Sequence, residues 1–216
     1  MQQTSALDEL ARDPSSRKRF LRTVGATAVA AGLSAALAAC GKSKSTTNPA
    51  NLGPLAQYGP GDLGVLNYAL TLEYIETSFY TAALRTGRVT GRTAKLFNQF
   101  NAEESAHIGV LTAAVRKLGG KPPTAPKTIF PLDTQEMILS TASQLETVGA
   151  GAYLGQLDVI QSKSVLATAL SIHTVEGRHA ATLNQLLGHS PTPDGAFGRP
   201  ITATDVQRQI QTFLGA

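Results

Sequence analysis

Cysteine occurs once in the 216 residues of this chain, and tryptophan is absent. A single cysteine excludes a disulfide framework, and it also excludes zinc or iron–sulfur sites built from several thiolates. Valine and isoleucine are sparse and scattered, whereas alanine, leucine and threonine are abundant. This composition favours helices over sheets. The length is sufficient for one domain with terminal appendages.

A concentrated basic surface is also missing. Residues 1–39 carry five Lys/Arg against three Asp/Glu, and the remainder carries fourteen against twelve, so each part contributes +2 to the net charge of +4. No long basic stripe and no alternation of basic and aromatic residues follows residue 39. We therefore expect no nucleic-acid partner.

Residues 1–39 have the pattern of a secretory signal peptide: a basic segment, a short apolar run and small residues at its end. The segment Ser16–Arg22 resembles a twin-arginine signal, with Lys18 in place of the usual second arginine, so the general secretory route stays open. The segment Leu37–Cys40 resembles a lipobox, which predicts lipidation of Cys40. The alternative is an incidental thiol at the end of an ordinary signal or anchor segment. We expect an exported lipoprotein, anchored in a membrane and facing the periplasm or the cell surface.

A change of composition separates a tether from a folded domain. Residues 40–60 comprise the lipidated cysteine and a flexible tether rich in Gly, Ser, Thr, Asn and Pro. Apolar residues at helical spacing predict four helices over about 62–84, 93–118, 133–160 and 162–188. Asp62 is predicted to cap the first helix, residues 133–136 form a capping box for the third, and Ser162 or Ser164 caps the fourth.

The order of these elements predicts an all-α fold. Residues 61–189 form a four-helix bundle in which a long, proline-rich crossover joins the second helix to the third. Residues 190–216 form a C-terminal loop and a short helix over about 202–214.

Polar residues inside the helices repeat between the two halves of the bundle. One half has a glutamate, a tyrosine seven residues later, and then Glu-x-x-His in the next helix; the other half repeats the order. Residues three apart share one face of a helix, so each Glu-x-x-His can bind one ion. The predicted metal ligands are Glu73, Glu104, His107, Glu146, Glu176 and His179.

This set of residues is that of di-iron and di-manganese carboxylate bundles. Four carboxylates balance two divalent ions, whereas the same carboxylates buried without metal would be unfavourable unless several were protonated. Oxygen-rich ligation with two imidazoles suits iron or manganese. We predict two iron ions, with manganese as the alternative.

Several nearby residues are open to a second interpretation. Glu76 rivals Glu73 as a ligand, but its counterpart in the second half is Gly149, so the repeat favours Glu73. Tyr80 and Tyr153 are either aromatic residues of the core or hydrogen-bond donors to the ligands. A satisfied core or surface residue is the simpler interpretation of His173. Three other polar residues are interpreted as surface residues: Glu103, Asp158 and His189.

Four segments resemble the exported ferritin-like domain proteins, a group that includes desiccation-related proteins and is distantly related to rubrerythrins and ferritins. They are residues 62–80, 103–107, 152–156 and 173–180, and the tail over 196–213 is similar as well. The resemblance covers roughly residues 60–216. It implies a non-haem di-metal site with the six ligands already named, and it fixes no activity, since this fold hosts many chemistries.

We expect a di-metal oxidoreductase that reacts with O₂ or hydrogen peroxide. Glu104 and Glu176 would bridge the ions, His107 and His179 would each bind one, and the other two glutamates would be terminal ligands. Iron sequestration is one alternative, and a metal-stabilised stress-protection protein without turnover is another. A lipid on every chain fits a closed ferritin cage poorly, so we expect a monomer or homodimer.

Overall fold

The computed structural model describes residues 53–215, and the regular elements of this part of the chain are helices. Turns of 3₁₀ helix lie at Gly53–Tyr58 and Gln211–Phe213. The predicted all-α class is confirmed. The α-helices, in chain order, are α1 (Gly61–Arg85), α2 (Gly91–Lys117), α3 (Gln135–Leu154), α4 (Lys163–Leu186) and α5 (Ala203–Ile210).

The predicted signal peptide, Cys40 and most of the predicted tether lie outside the described residues. Among the helices that are described, none combines the length and the hydropathy that a membrane crossing requires.

The four long helices pack as two pairs. Helix α1 lies mainly against α2, and α3 lies mainly against α4; α1 and α3 join the pairs, while α2 and α4 touch over a much smaller area. The crossover from α2 to α3 is held by the end of the chain. Ile129 N–H donates to Phe213 O at 2.9 Å, and Gly215 N–H donates to Lys127 O at 3.0 Å. The segment over residues 213–215 therefore holds the long connection between α2 and α3 in place through backbone hydrogen bonds.

The start of α1 differs from the predicted one, and the start of α4 agrees with it. Asp62 does not cap α1, whose N-cap is Pro60. Its carboxylate accepts instead from the backbone N–H groups of Gln161 and Ser162, at 2.8 and 2.7 Å, about a hundred residues along the chain. Ser162 caps α4, as one of the two predicted alternatives, and accepts from Val165 N–H.

Helix α3 ends six residues before the predicted end at residue 160, because another segment crosses its last turn. Ile201 N–H donates to Gly151 O at 2.9 Å. A Cβ atom on Gly155 would lie 2.1 Å from Ile201 O, so only glycine permits this approach. At the other end of α3 the N-cap is Thr134, within the predicted capping box, and its side chain accepts from Met137 N–H.

Candidate metal centre

Each long helix directs acidic or histidine side chains into the middle of the bundle. Helix α1 contributes Glu73 and α3 contributes Glu146, while α2 and α4 each contribute one Glu-x-x-His. The four glutamates are 0% exposed, and the two histidines are 8% and 2% exposed. The structure thus brings together all six residues predicted as ligands: Glu73, Glu104, His107, Glu146, Glu176 and His179.

The six residues form two overlapping groups, each able to hold one metal ion. The His107 group contains Glu73, Glu104 and Glu176, and the His179 group contains Glu146 with the same two shared glutamates. Within each group, one ligand atom per residue lies within 4.8 Å of the others. Glu104 and Glu176 are common to both groups, and these are the residues predicted to bridge two ions.

Both imidazole rings direct Nδ1 toward the carboxylates. His107 Nδ1 lies 2.8 Å from Glu104 Oε2 and 3.2 Å from both Glu73 Oε2 and Glu176 Oε1. His179 Nδ1 lies 2.9 Å from Glu104 Oε1 and 3.2 Å from Glu146 Oε2. Nδ1 is therefore the ligand atom that each histidine presents to the centre.

Burial and mutual contact shift the protonation of the cluster. Burial lowers the pKa of an imidazole, but hydrogen bonds to the glutamates outweigh it and raise the pKa of His107 to about 12 and that of His179 to about 11. Burial raises the pKa of Glu73 to about 8 and raises that of Glu176 well above its ordinary value. Hydrogen bonds from both histidines outweigh burial at Glu104 and lower its pKa to about 2. The cluster thus binds protons at neutral pH that a cation would displace.

Two tyrosines connect the pairs of helices across the centre. Tyr80, on α1, donates a hydrogen bond to Glu146 on α3, and Tyr153, on α3, donates one to Glu73 on α1. Both phenols are buried, and burial first, then the adjacent glutamates, raises their pKa values well above 10. Both interpretations of Tyr80 and Tyr153 therefore apply: the two side chains pack in the core, and they donate hydrogen bonds to Glu146 and Glu73.

Glu76 is a fifth buried carboxylate beside the six residues. It is 3% exposed, and its Oε2 has no hydrogen-bond partner. Burial, followed by repulsion from Glu176, raises its pKa well above the ordinary value. Gly149 makes room for it, because a Cβ there would lie 2.6 Å from Glu76 Oε1 and 3.0 Å from Glu176 Oε2. In the sequence, Glu76 was noted one turn after Glu73, but only as an alternative to Glu73 as a metal ligand.

Glu103 was predicted as a surface residue, and it also contacts a residue of the centre, which the sequence did not show. Its side chain is 38% exposed, yet its Oε2 lies 2.7 Å from His179 Nε2. Phe100, one turn earlier on α2, stacks on the same imidazole, with ring centroids 3.8 Å apart and planes at 28°. A carboxylate on Nε2 fixes the ring so that Nδ1 faces the centre. Spacing along one helix cannot show a contact that α2 makes with α4.

The other histidines take no part in the centre. His173 Nδ1 lies 3.0 Å from Ala150 O, at the edge of a groove of about 870 Å³ between the bundle and the loop over residues 191–202. That groove is the largest of the cavities described, but it contains none of the six residues. His189 and Asp158 are exposed, as predicted.

The donor set fits a pair of divalent cations. It offers carboxylate oxygens and imidazole nitrogens, which suit iron and manganese. Glu176 Oε2 is buried without a hydrogen-bond partner, a costly arrangement that a bound cation removes. The two overlapping groups together contain four carboxylates, whose charge matches that of two divalent ions.

Comparisons with known proteins agree with the helical fold. The sequence pattern of the family described as "Ferritin-like domain" matches residues 61–189, the range predicted for the bundle. No protein of curated function matches the chain.

Two solved structures are similar to it. A conserved hypothetical protein from Mycobacterium tuberculosis has 15% identity and a TM-score of 0.54, and the match covers 58% of this chain and 96% of that one. A structure from Bacillus anthracis strain Ames, described as ferritin like, diiron-carboxylate proteins, has 20% identity and a TM-score of 0.53. That match covers 62% of this chain and 98% of the other. At these identities, the likeness shows a shared fold.

Proposed function

Since the chain belongs to the ferritin-like domain family, we propose that its bundle holds two metal ions, iron in the first place, and that these react with O₂ or hydrogen peroxide. The observation that carries the proposal is the pair of overlapping four-residue groups, completely buried except at His107. A description as diiron-carboxylate belongs to one structure of the same fold and supports iron. Manganese is the alternative, since it prefers the same ligands.

The proposed roles follow the geometry. Glu104 and Glu176 would hold both ions, because they are shared by both groups. Each histidine binds one ion through Nδ1. Glu73 and Glu146 are terminal ligands, and each keeps one oxygen in a hydrogen bond to a tyrosine.

Residues around the ligands hold the centre in position. Glu103 orients the ring of His179, and the two tyrosines limit rotation of the terminal carboxylates, so little rearrangement is needed on binding. With Glu76 protonated, the four remaining carboxylates balance two divalent charges in a site from which water is largely excluded. Iron held by these residues would supply electrons to the oxidant on oxidation from the divalent to the trivalent state.

We also propose that the protein acts outside the cytoplasm, anchored through a lipid on Cys40, as a monomer or homodimer. The support is the sequence of residues 16–40. Metabolic labelling with an alkyne fatty acid tests the anchor. The wild-type protein is expected to carry label in the membrane fraction, and the Cys40→Ser variant is expected to carry none. Equal labelling of both proteins would contradict the lipid anchor.

Counting metal atoms tests the centre itself. The wild-type protein, purified without chelator, should contain about two iron or manganese atoms per chain. The variant Glu104→Gln/Glu176→Gln keeps side-chain volume but removes both shared ligands, so it should contain almost none. Glu136→Gln, at an exposed position in the first turn of α3, is the matched control and should retain the full content.

Peroxide consumption then separates turnover from a structural role. Loaded wild-type protein should consume hydrogen peroxide, and the double variant should not. Full metal content without any reaction with O₂ or peroxide would contradict the oxidoreductase proposal and leave a metal-stabilised structural bundle. Absence of metal in the wild-type protein after reconstitution would contradict the metal centre as a whole.

A further inference from the structure

The repeat that relates α2 to α4 breaks at the residues that cover the two histidines. An offset of 72 residues relates Glu104 to Glu176 and His107 to His179. The same offset relates Phe100 to Ile172, and Glu103 to Val175. In each pair, the first residue covers His179 and the second lies beside His107.

The side of the centre at His179 is closed. Phe100 stacks on the imidazole, and Glu103 holds Nε2 at 2.7 Å. Together they leave His179 only 2% exposed. Access to the ring from the side of these two residues would require displacement of the Phe100 ring or loss of the contact between Glu103 and Nε2.

The side at His107 is open. A groove of about 490 Å³ lies between α2 and α4, and His107 is the only one of the six predicted ligands in its lining. At 8% exposure, His107 is also the most accessible of the six. Small or aliphatic residues and two hydroxyls form the rest of the lining: Ala106, Val110, Ala167, Thr168, Ser171, Ile172 and Val175.

We propose that this groove is the route by which a small, neutral oxidant reaches the centre, and that it admits O₂ or hydrogen peroxide rather than anions or bulky organic peroxides. The inference rests on the proposed function. Apart from His107 itself, the lining of the groove has no ionisable residue that could attract an anion. A neutral molecule of two heavy atoms loses little hydration on entering an apolar passage, whereas an ion loses much more. Glu176 Oε1 lies 3.2 Å from His107 Nδ1, and Oε2 of the same buried carboxylate has no hydrogen-bond partner.

Paramagnetic relaxation by dissolved oxygen tests the groove without relying on redox activity. The full-length protein would be saturated with zinc, which does not react with oxygen, and methyl relaxation would be measured with and without O₂. Ile172 and Ile138 are a matched pair of buried isoleucines, at 3% and 0% exposure. We expect the methyl groups of Ile172 and Val175 to relax several-fold more strongly than those of Ile138. Equal enhancement at Ile172 and Ile138 would overturn the proposal.

Nitric oxide, a neutral diatomic probe, tests whether the groove leads to the metals. The rate of nitric oxide binding would be followed by stopped-flow absorption on iron(II)-loaded protein. Ile172→Phe places an aromatic ring beside His107, as Phe100 lies against His179, and should slow nitric oxide binding at least about tenfold. Ala167→Phe narrows the groove from an exposed position, which guards against misfolding of the first variant, and should slow binding as well. Ala113→Phe, also exposed on a long helix but outside the lining, should leave the rate unchanged.

The two measurements separate the two proposals. Unchanged nitric oxide rates in both groove variants, with full iron content, would overturn the route while leaving the metal centre intact. Failure of the protein to bind iron would contradict the proposed function, and oxygen relaxation at Ile172 would still decide whether the groove admits O₂. Binding slowed by both groove variants and not by the control would establish the route.

Discussion

The half of the centre around His107 and the half around His179 have the same ligands at the same spacings, but different surroundings. Phe100 and Glu103 cover His179, whereas Ile172 and Val175 leave His107 beside an open groove. The spacing of the ligands is thus repeated in the two halves, whereas the residues that lie over the two histidines differ. The comparison teaches that a symmetrical ligand set can have one accessible side, because access depends on residues that bind nothing.

Removal of metal should affect both halves alike and should give the largest effect. The pKa values of both histidines, at about 11–12, and of Glu73, at about 8, are raised above their ordinary values. Such groups stabilise the folded protein below their ordinary pKa, and this contribution is lost as the pH rises toward the folded pKa. Chelator-stripped protein should therefore melt at least about 10 °C lower at pH 8 than at pH 5.

Calorimetry of stripped and loaded protein at both pH values measures this difference. In the loaded protein the metal keeps these groups deprotonated, so the pH dependence should be much weaker. Metal binding at pH 7 should also release several protons, which an indicator dye detects. A stripped protein that is more stable at pH 8 than at pH 5 would contradict the protonation inferred for the cluster.

The tyrosines test the symmetrical part of the comparison. Tyr80→Phe and Tyr153→Phe each remove one hydrogen bond to a buried glutamate, so each should lower the free energy of unfolding by about 1.5–3 kcal/mol. Urea denaturation of the loaded proteins measures both losses, which should agree within about 1 kcal/mol. Tyr74→Phe, a partly buried control on α1, should change stability by less than about 0.5 kcal/mol. A clearly unequal pair would show that the helix pairs are not equivalent even in their core.

Glu103 tests the unsymmetrical part. Glu103→Gln weakens the hydrogen bond that orients His179, and His107 has no such partner on α4 because Val175 takes the corresponding place. The affinity for one of the two ions should fall about 10- to 100-fold, while the other is retained. Chelator competition resolves two unequal sites in the variant. Loss of both ions, or no change relative to the exposed Glu136→Gln control, would contradict the proposed role of Glu103.

Gly149 tests the third difference between the halves and should give the smallest effect. Gly149→Ala places a methyl group against Glu76 and Glu176, which should cost about 1–2 kcal/mol of stability through overpacking. When the side chain of Glu76 is truncated in Gly149→Ala/Glu76→Ala, the alanine at position 149 should reduce stability by less than it does beside the intact Glu76. The control Gly177→Ala, which meets no atom within 4 Å, should be stabilising by about 0.5–1 kcal/mol. Equal costs in the presence and absence of the Glu76 side chain would rule out a close contact between positions 76 and 149.

Local sequence was enough to predict the helices and the six clustered residues, because both depend on spacing within one helix. The Glu-x-x-His pairs needed only the period of the helix, and the order of the elements then indicated the bundle. Contacts between distant segments were missed. Asp62 was predicted to cap its own helix, whereas its carboxylate accepts hydrogen bonds from the segment before α4. Helix α3 was extended to residue 160, because the approach of Ile201 could not be seen in the sequence.

The same limit explains which contacts at the centre were not predicted. Glu103 follows a surface pattern along α2, and only the packing of α2 near α4 brings its carboxylate to His179. Glu76 and Gly149 are each ordinary residues in isolation. They become meaningful as a pair, since the missing side chain of one makes room for the other across two helices.

Anomalous diffraction from crystals of the iron-loaded protein tests the central claim most directly. The account predicts two peaks roughly 3.5–4 Å apart, one beside His107 Nδ1 and one beside His179 Nδ1, with Glu104 and Glu176 between them. A single peak, or peaks bound by residues other than these six, would contradict it.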